Sequence, residues 1–422
     1  MTSSLLAILA AALPWQQSGF ADGAPGWDAW SPRAEIAPRA FVAKAPSRGE
    51  PGALALSGAG NAAACGEWRH RIDGVQAGRW YRLTAHYRTE AVAHEGWQVL
   101  VRLDWAGADG DRVGWPDYAY RTRPAGEWRE VVLEAPAPEG ASAVDVQLRL
   151  QNAAQGVVYW DDLRLEEMDT PGPRRIRVAG VNLRPRETGS AEASVRAFAR
   201  LAAREVPEGT DVVVLPEGIS VVGTGKTYAD VAEPLPGPTT TALGELARRK
   251  RAYVVAGLYE REGHVVYNTA VLLDRSGALV GRYRKVYLPR EEIEAGLTPG
   301  SAYPTFATDF GRVGLMICWD TQYADPARAL ALAGAELLLV PIWGGNETLV
   351  RARAIENRVF VATSGYDFPT LVVDPDGEVL ARAEDDEGSV ALATLDLNRR
   401  YLDPWLGDMK GRFPKELRTD VR

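Results

Sequence analysis

A carboxylate, an ammonium and a thiol stand out in this sequence by where they fall: Glu217, Lys285 and Cys318. Val-Val-Val-Leu-Pro-Glu-Gly puts Glu217 just past an apolar run, Gly-Arg-Tyr-Arg-Lys-Val-Tyr-Leu-Pro carries Lys285, and Gly-Arg-Val-Gly-Leu-Met-Ile-Cys-Trp-Asp closes on Cys318. A thiol becomes a nucleophile when a base takes its proton, and a neighbouring ammonium favours the charge that results. Each residue also has a plainer role. A Cys ending an apolar strand is commonly core, a Glu can cap a loop, and a Lys can run its stem along the surface. The combination is what points to chemistry. Two cysteines occur (Cys65 and Cys318), with four scattered histidines (His70, His86, His94, His264) and no HExxH or CxxC spacing. At most one disulfide can form, and neither a transition-metal site nor any other cofactor is expected.

The elements that must position these residues alternate strand-like and helical composition. Buried apolar runs at 176–181, 212–215, 253–256, 313–317 and 337–340 interleave with helical stretches at 191–204, 239–251, 324–333 and 347–358. That interleaving predicts an α/β sheet covered by helices. Ligand clefts in such folds lie beyond the carboxyl ends of strands, so the three reactive side chains are expected to converge there.

The strings Leu-Pro-Glu, Tyr-Arg-Lys-Val-Tyr-Leu-Pro and Gly-Leu-Met-Ile-Cys-Trp-Asp together resemble the nitrilase, or carbon–nitrogen hydrolase, superfamily. Tyr-Asn-Thr-Ala-Val-Leu-Leu-Asp (267–274), Leu-Thr-Pro-Gly (297–300) and Arg-Ala-Arg-Ala-Ile-Glu-Asn-Arg (351–358) extend the resemblance over about 175–400. It implies a four-layer αββα sandwich and hydrolysis of a non-peptide carbon–nitrogen bond in a small amide or carbamoyl amine through a Cys thioester. Glu217 then matches the general base, Lys285 the oxyanion-stabilising lysine and Cys318 the nucleophile. Glu292 matches a further glutamate that positions substrate and proton, with Glu291 and Glu294 as rivals. The Trp319 N–H is expected at the oxyanion, and Trp319, Tyr323, Trp343 and Tyr366 are expected around the substrate. Tyr287 departs from the family, many of whose members carry His there. Trp319-Asp320-Thr321 follows the nucleophile where nitrilases proper commonly have Trp-Glu, which leans toward amides. Nitrile hydrolysis and N-acyl transfer through the same triad are the alternatives.

The first half is of another kind. Of 13 Trp, nine lie between Trp27 and Trp160. Trp97, Val99, Val101, Leu103 and Trp105 alternate with polar residues, as do Val144, Val146, Leu148 and Leu150, which predicts antiparallel strands buried on one face. A β-sandwich is expected over 25–168. Val-Tyr-Trp-Asp-Asp-Leu-Arg-Leu resembles the jelly-roll, galactose-binding-like modules that carry carbohydrate. Trp115 and Tyr118, in a turn-like segment, are its ligand candidates, a purely structural module is the alternative, and a carbohydrate-binding protein with an inactive hydrolase half is the rival from another class. Residues 169–174 read as a linker. Residues 1–24 read as a secretory signal peptide without a basic n-region, with Gly19-Phe20-Ala21 as its cleavage site, so export is expected; a mis-assigned start or an N-terminal segment packed on the body, in a cytoplasmic protein, is the alternative. No other apolar run approaches the roughly 20 residues that span a bilayer. Residues 401–422 read as a tail across a subunit contact, which implies a homo-oligomer. The composition (46% hydrophobic, 25% charged) is that of a globular protein, and a net charge of −8 without a basic patch argues against nucleic acid.

Overall fold

The alternating runs of the first half form strands because one face of each is apolar and must be covered. In the computed structural model, which describes residues 13–383 and 388–421, they make two antiparallel sheets. The larger orders Arg39–Ala43, Ala53–Ser57, Val157–Met168, Trp80–Glu90, Trp128–Pro136 and Arg121–Ala125, with Trp15–Gln17 paired to Val157–Met168. The smaller orders Trp27–Trp30, Cys65–Asp73, Ala143–Gln151, Val99–Ala106 and Asp117–Tyr118. Leu83, Val131 and Trp160 from one sheet and Leu103, Val146 and Leu148 from the other share one core. Burying a side chain of this size contributes roughly 1.5–3 kcal/mol.

Three expectations are corrected in this unit. Trp97 and Gln98 do not extend the strand that starts at Val99; they end a short helix, Glu95–Gln98, because the Gln98 carboxamide turns back to accept the His94 N–H at 2.8 Å. Residues 13–24 belong to the sandwich: Trp15 pairs with Leu165, Gly19 donates to Asp161 Oδ1 at 3.0 Å, and Phe20 is buried in the core. The expected cleavage site is thus part of the folded unit, while residues 1–12 lie outside the described residues. The chain after Arg400, expected as a tail across a subunit contact, folds back onto this same unit. Arg400 pairs with Asp117 and, at 3.0 Å, with Asp408; the helix Met409–Glu416 sends Lys415 Nζ to the Val99 carbonyl at 3.3 Å; and the Arg418 guanidinium lies 4.3 Å over Trp97.

The second unit, Gly172–Arg399, holds two six-stranded sheets. In the first, Arg175–Asn182, Val212–Val214 and Tyr253–Glu262 run parallel, flanked by antiparallel Val265–Leu273, Leu279–Arg284 and Ser389–Asp396. In the second, Arg312–Leu315, Leu337–Pro341 and Phe360–Ser364 run parallel, with Thr305–Ala307, Thr370–Val373 and Val379–Ala383 antiparallel. Helices Ala191–Glu205 and Pro238–Lys250 cover the first sheet, and Ala324–Leu332 and Glu347–Asn357 cover the second. The helix Ala191–Glu205 is amphipathic for a visible reason. Val195, Phe198, Leu201 and Ala202 make one stripe of Ala191–Glu205, whose N-cap Ser190 accepts the Ala193 N–H at 3.1 Å.

The sheets meet face to face, giving helix, sheet, sheet, helix. Gly180 sets the approach: a Cβ there would lie 2.5 Å from Thr370 Cγ2 and 2.6 Å from the Thr363 carbonyl. Ser364 Oγ donates across the seam to the Val181 carbonyl at 2.6 Å. Strands Val212–Val214, Leu279–Arg284 and Arg312–Leu315 end within a few residues of Glu217, Lys285 and Cys318.

Candidate active site

Beyond those strand ends the chain leaves regular structure, and each reactive residue is pinned by backbone. Glu217 sits in a turn clipped to the strand Tyr253–Glu262. The Gly257 N–H donates to Pro216 O at 3.0 Å, and Ile219 N–H donates to Gly257 O at 2.9 Å. Only glycine fits at 257, because a Cβ would lie 2.7 Å from Glu217 Cα. Lys285 follows its strand directly; its N–H donates to Asn268 O at 2.9 Å, and its carbonyl accepts the Gly300 N–H at 2.8 Å, from the Leu-Thr-Pro-Gly loop. Cys318 opens a 3-10 turn, Cys318–Gln322, with φ at +39°, a left-handed conformation that costs a non-glycine residue of order 1–3 kcal/mol.

What holds Cys318 in that conformation is Asp320. Its fully buried carboxylate accepts the Ile317 N–H at 2.9 Å, the Tyr287 N–H at 3.0 Å and the Tyr283 hydroxyl at 2.8 Å. One side chain therefore ties the nucleophile turn to the segment just after Lys285. Burial pushes its carboxyl up to about 6, against the three donors that favour its ionised form. Arg353, from the helix Glu347–Asn357, donates to the Thr321 carbonyl at 3.1 Å and holds the far end of the turn.

Four of the expected residues meet. Lys285 Nζ lies 2.8 Å from Glu217 Oε1 and 3.0 Å from Glu292 Oε1, and all three side chains are nearly fully buried. Asn268, wholly buried, donates its Nδ2 to the same two oxygens at 2.7 and 2.8 Å. The Cys318 thiol has two acceptors, the Gly344 carbonyl at 3.2 Å and the Glu217 carboxylate. Glu291 and Glu294 are exposed, and Glu294 pairs with Arg290 at 2.6 Å. The geometry thus separates Glu292 from its rivals. Glu292 Oε2 and Asn268 Oδ1 are buried without a hydrogen-bond partner in the protein, so two acceptors remain for donors from outside.

The charges are unequal: two carboxylates face one ammonium. Burial, then the opposing pulls of Lys285 and Glu217, leaves Glu292 pushed up to about 7. Burial alone would lower Lys285, but the charges of Glu217, Cys318 and Glu292 outweigh it and keep the ammonium protonated beyond the ordinary lysine range. Burial and then Glu217 push the Cys318 thiol up to about 12. Lys285 and the Trp343 backbone pull it down, as expected of a neighbouring ammonium, without overcoming them. The resting residue is therefore a thiol, and its proton must leave as the sulfur attacks.

The expected aromatic residues divide. Trp343 stands edge-on to Tyr366 at 4.9 Å and donates Nε1 to Asp367 at 3.0 Å. Tyr366 is buried and donates its hydroxyl to the Glu217 carbonyl, so it supports the base instead of lining a pocket. Trp319 and Tyr323 are each 39% exposed. Tyr323 stacks at 4.0 Å on Tyr287, whose hydroxyl donates to Asp325 at 3.3 Å, which gives the departure at 287 a packing role. Tyr228 and Tyr259 stack at 4.5 Å near the two glutamates. Sequence reasoning missed Asn268, Tyr228, Tyr259 and Arg353, and gave Asp320 no positional role.

A half-buried thiol with a carboxylate and an ammonium beside it is an arrangement that could serve cysteine-nucleophile chemistry without a histidine. Residues 177–403 match the family described as Carbon-nitrogen hydrolase. The chain is 32% identical over 245 residues to the omega-amidase NIT2 of Homo sapiens, covering 51% of this chain and 85% of that one. It is 34% identical over 220 residues to a nitrilase of Pyrococcus abyssi, covering 46% and 82%. The solved amidase of Nesterenkonia sp. AN1 shares the fold, with a TM-score of 0.50 at 23% identity over 60% of this chain and 98% of that one. The chain belongs to the carbon–nitrogen hydrolase family of the nitrilase superfamily, and it is an amidase-type hydrolase.

Proposed function

We propose that this enzyme hydrolyses a small amide to acid and amine or ammonia through a thioester on Cys318, with Glu217 as general base, Lys285 as oxyanion stabiliser and Glu292 as positioning acid. The observation that carries it is the contact set Glu217–Lys285–Glu292 beside the Cys318 thiol. As sulfur attacks the carbonyl carbon, Glu217 takes the thiol proton. Charge builds on the carbonyl oxygen and meets the Lys285 ammonium and the Trp319 N–H. Protonated Glu217 hands its proton to the leaving nitrogen, and the amine departs. Water then attacks the thioester, Glu217 takes its proton, and the sulfur leaves as the thiol. Ammonia release from a panel of amides, carbamoyl amines and nitriles tests the reading. Amide turnover lost in Cys318→Ala supports it, and turnover retained in that variant removes it. The omega-amidase relatives support amides, and the nitrilase relative keeps nitriles as the rival arm.

For the first unit we propose a jelly-roll-like module that binds saccharide. Trp115, 46% exposed, supports it, as does Tyr118, whose ring lies 5.5 Å from the Arg102 guanidinium. Loss of glycan-array binding in the full chain carrying Trp115→Ala checks this, and binding unchanged in the variant contradicts the site. Export of the chain and its assembly as a homo-oligomer are further parts of the proposal, checked by fractionating the source cells and by light scattering.

A further inference from the structure

The base and the nucleophile stand on different sheets. Glu217 follows Val212–Val214 of the first sheet, and Cys318 follows Arg312–Leu315 of the second. A proton passes between them only while the two sheets keep their register at the carboxyl ends, so something must span the seam there. On the Lys285 side that part falls to Asp320. On the Glu217 side it falls to residues 365–369, which connect Phe360–Ser364 to the antiparallel strand Thr370–Val373.

This connection belongs to the second sheet but is gripped by the first. Ser364 Oγ donates to the Val181 carbonyl at 2.6 Å, and buried Asn182 donates Nδ2 to the Phe368 carbonyl at 3.2 Å. Between these anchors Tyr366 crosses the seam. Its ring is buried in the first sheet's core, 6.5 Å from Phe198, and its hydroxyl donates to the Glu217 carbonyl. The next residue works in the opposite direction. The Asp367 N–H donates to the Trp343 carbonyl at 3.0 Å, and its carboxylate accepts Trp343 Nε1 at 3.0 Å, with Arg184 paired to the other oxygen. Trp343 and Gly344 are what the thiol meets: the Trp343 backbone hydrogen-bonds the sulfur, and the Gly344 carbonyl accepts the thiol at 3.2 Å. The Trp343 ring closes the circuit back to the base. It stands edge-on to Tyr366 at 4.9 Å, and a Cβ at Gly218, next to Glu217, would lie 3.5 Å from its Cζ3. Gly365 keeps the connection down on this segment, since a Cβ there would lie 2.7 Å from Ile342 Cγ2. Two consecutive residues therefore hold the base by its backbone and the thiol by its acceptor segment.

We propose that Tyr366 and Asp367 are positioning residues of the hydrolysis, which together fix the distance between the Glu217 carboxylate and the Cys318 sulfur. The inference rests on the amidase reading above. Tyr366→Phe keeps the ring and loses the hydroxyl, while Asp367→Asn turns one acceptor oxygen into a donor facing Trp343 Nε1 or the Arg184 guanidinium. With an amide that the wild type turns over, each should lower kcat about tenfold and leave KM within about twofold, since a displaced base slows the chemical step and not binding. Because both serve one distance, the double variant should fall about twentyfold, far short of the roughly hundredfold to which independent effects would multiply. Wild-type kcat in both single variants, a change confined to KM, or a double variant at the full product overturns the proposal and leaves the amidase reading intact. Iodoacetamide labelling at about pH 8 tests the same geometry without turnover, with Cys65 as the internal standard. Glu217 must take the thiol proton for Cys318 to react, so the ratio of Cys318 to Cys65 labelling should drop several-fold in Tyr366→Phe, as in Glu217→Gln. A merely loosened fold would raise that ratio instead. A ratio unchanged or raised overturns the proposal, and so does a wild-type Cys318 that stays unlabelled while Cys65 reacts. If no amide is turned over, the amidase reading fails, and the labelling ratio alone decides the positioning.

Discussion

Replacing Lys285 by Met should destabilise the protein in a way that depends on pH. Lys285 is nearly fully buried, with Glu217 at 2.8 Å and Glu292 at 3.0 Å. Methionine matches its length but removes the one cation, among the described residues, in contact with these two buried carboxylates. Removing one partner of a buried ion pair costs about 3–5 kcal/mol, because the other charge is left without compensation. For a unit the size of Gly172–Arg399, each kcal/mol lowers Tm by roughly 2–4 °C, so a loss of about 10 °C is expected near pH 8. The sign with pH follows from proton binding. In the variant Glu292, already pushed up to about 7, loses the ammonium that lowers it, and a raised acid contributes stability below its unfolded value that is lost as pH rises through its folded value. Near pH 5 Glu292 holds its proton, one of the two uncompensated charges is gone, and the loss should be clearly smaller than near pH 8. Thermal unfolding followed by circular dichroism at the two pH values measures it. A Tm loss equal at both, or below about 2 °C near pH 8, would refute the picture of uncompensated buried carboxylates.

Other perturbations probe the rest of the site. Gly257→Ala would place a Cβ 2.7 Å from Glu217 Cα and displace the base; kcat should fall about 10–100-fold and stability by about 1–3 kcal/mol, and an unaltered kcat would show that the turn accommodates the methyl. With Glu292 at about 7, raising pH through that value adds a second negative charge beside the thiol and opposes attack. A pH profile of kcat/KM should therefore decline on the alkaline side of about 7, and Glu292→Gln, at its lower rate, should lack that limb; a limb surviving in the variant would assign it elsewhere. Asp320→Asn turns one acceptor oxygen into a donor facing backbone N–H groups, so it should cost about 1–3 kcal/mol in urea unfolding and lower kcat more than it raises KM. Stability and kcat both at wild-type values would show that the φ of Cys318 is held by something else.

The reactive trio was legible because Glu217 and Cys318 each follow an apolar run, and the strings around all three are long enough to be specific. Strand and helix positions in the second unit followed from composition to within a few residues, as with the helix Ala191–Glu205 expected at 191–204. Asn268 was not legible: a polar residue in the middle of a strand reads as one face of the pleat, and its role depends on Glu217, 51 residues away. Asp320 is similar, since its Tyr287 contact spans 33 residues and goes to backbone, which leaves no mark on the sequence of its partner. Trp97 misled because the alternation of apolar residues continues past the point where the backbone coils. The chain after Arg400 misled because its anchors lie far back, with Arg400 reaching Asp117 across 283 residues.

A thioester on Cys318 is tested by peptide mass mapping. The enzyme is mixed with a turned-over amide, quenched in acid within the first turnovers, digested and mapped. The account predicts an acyl mass increment on the peptide bearing Cys318, removed by hydroxylamine as the hydroxamate and absent from Cys318→Ala. Steady turnover with no adduct on that peptide, and with activity persisting in Cys318→Ala, would contradict it.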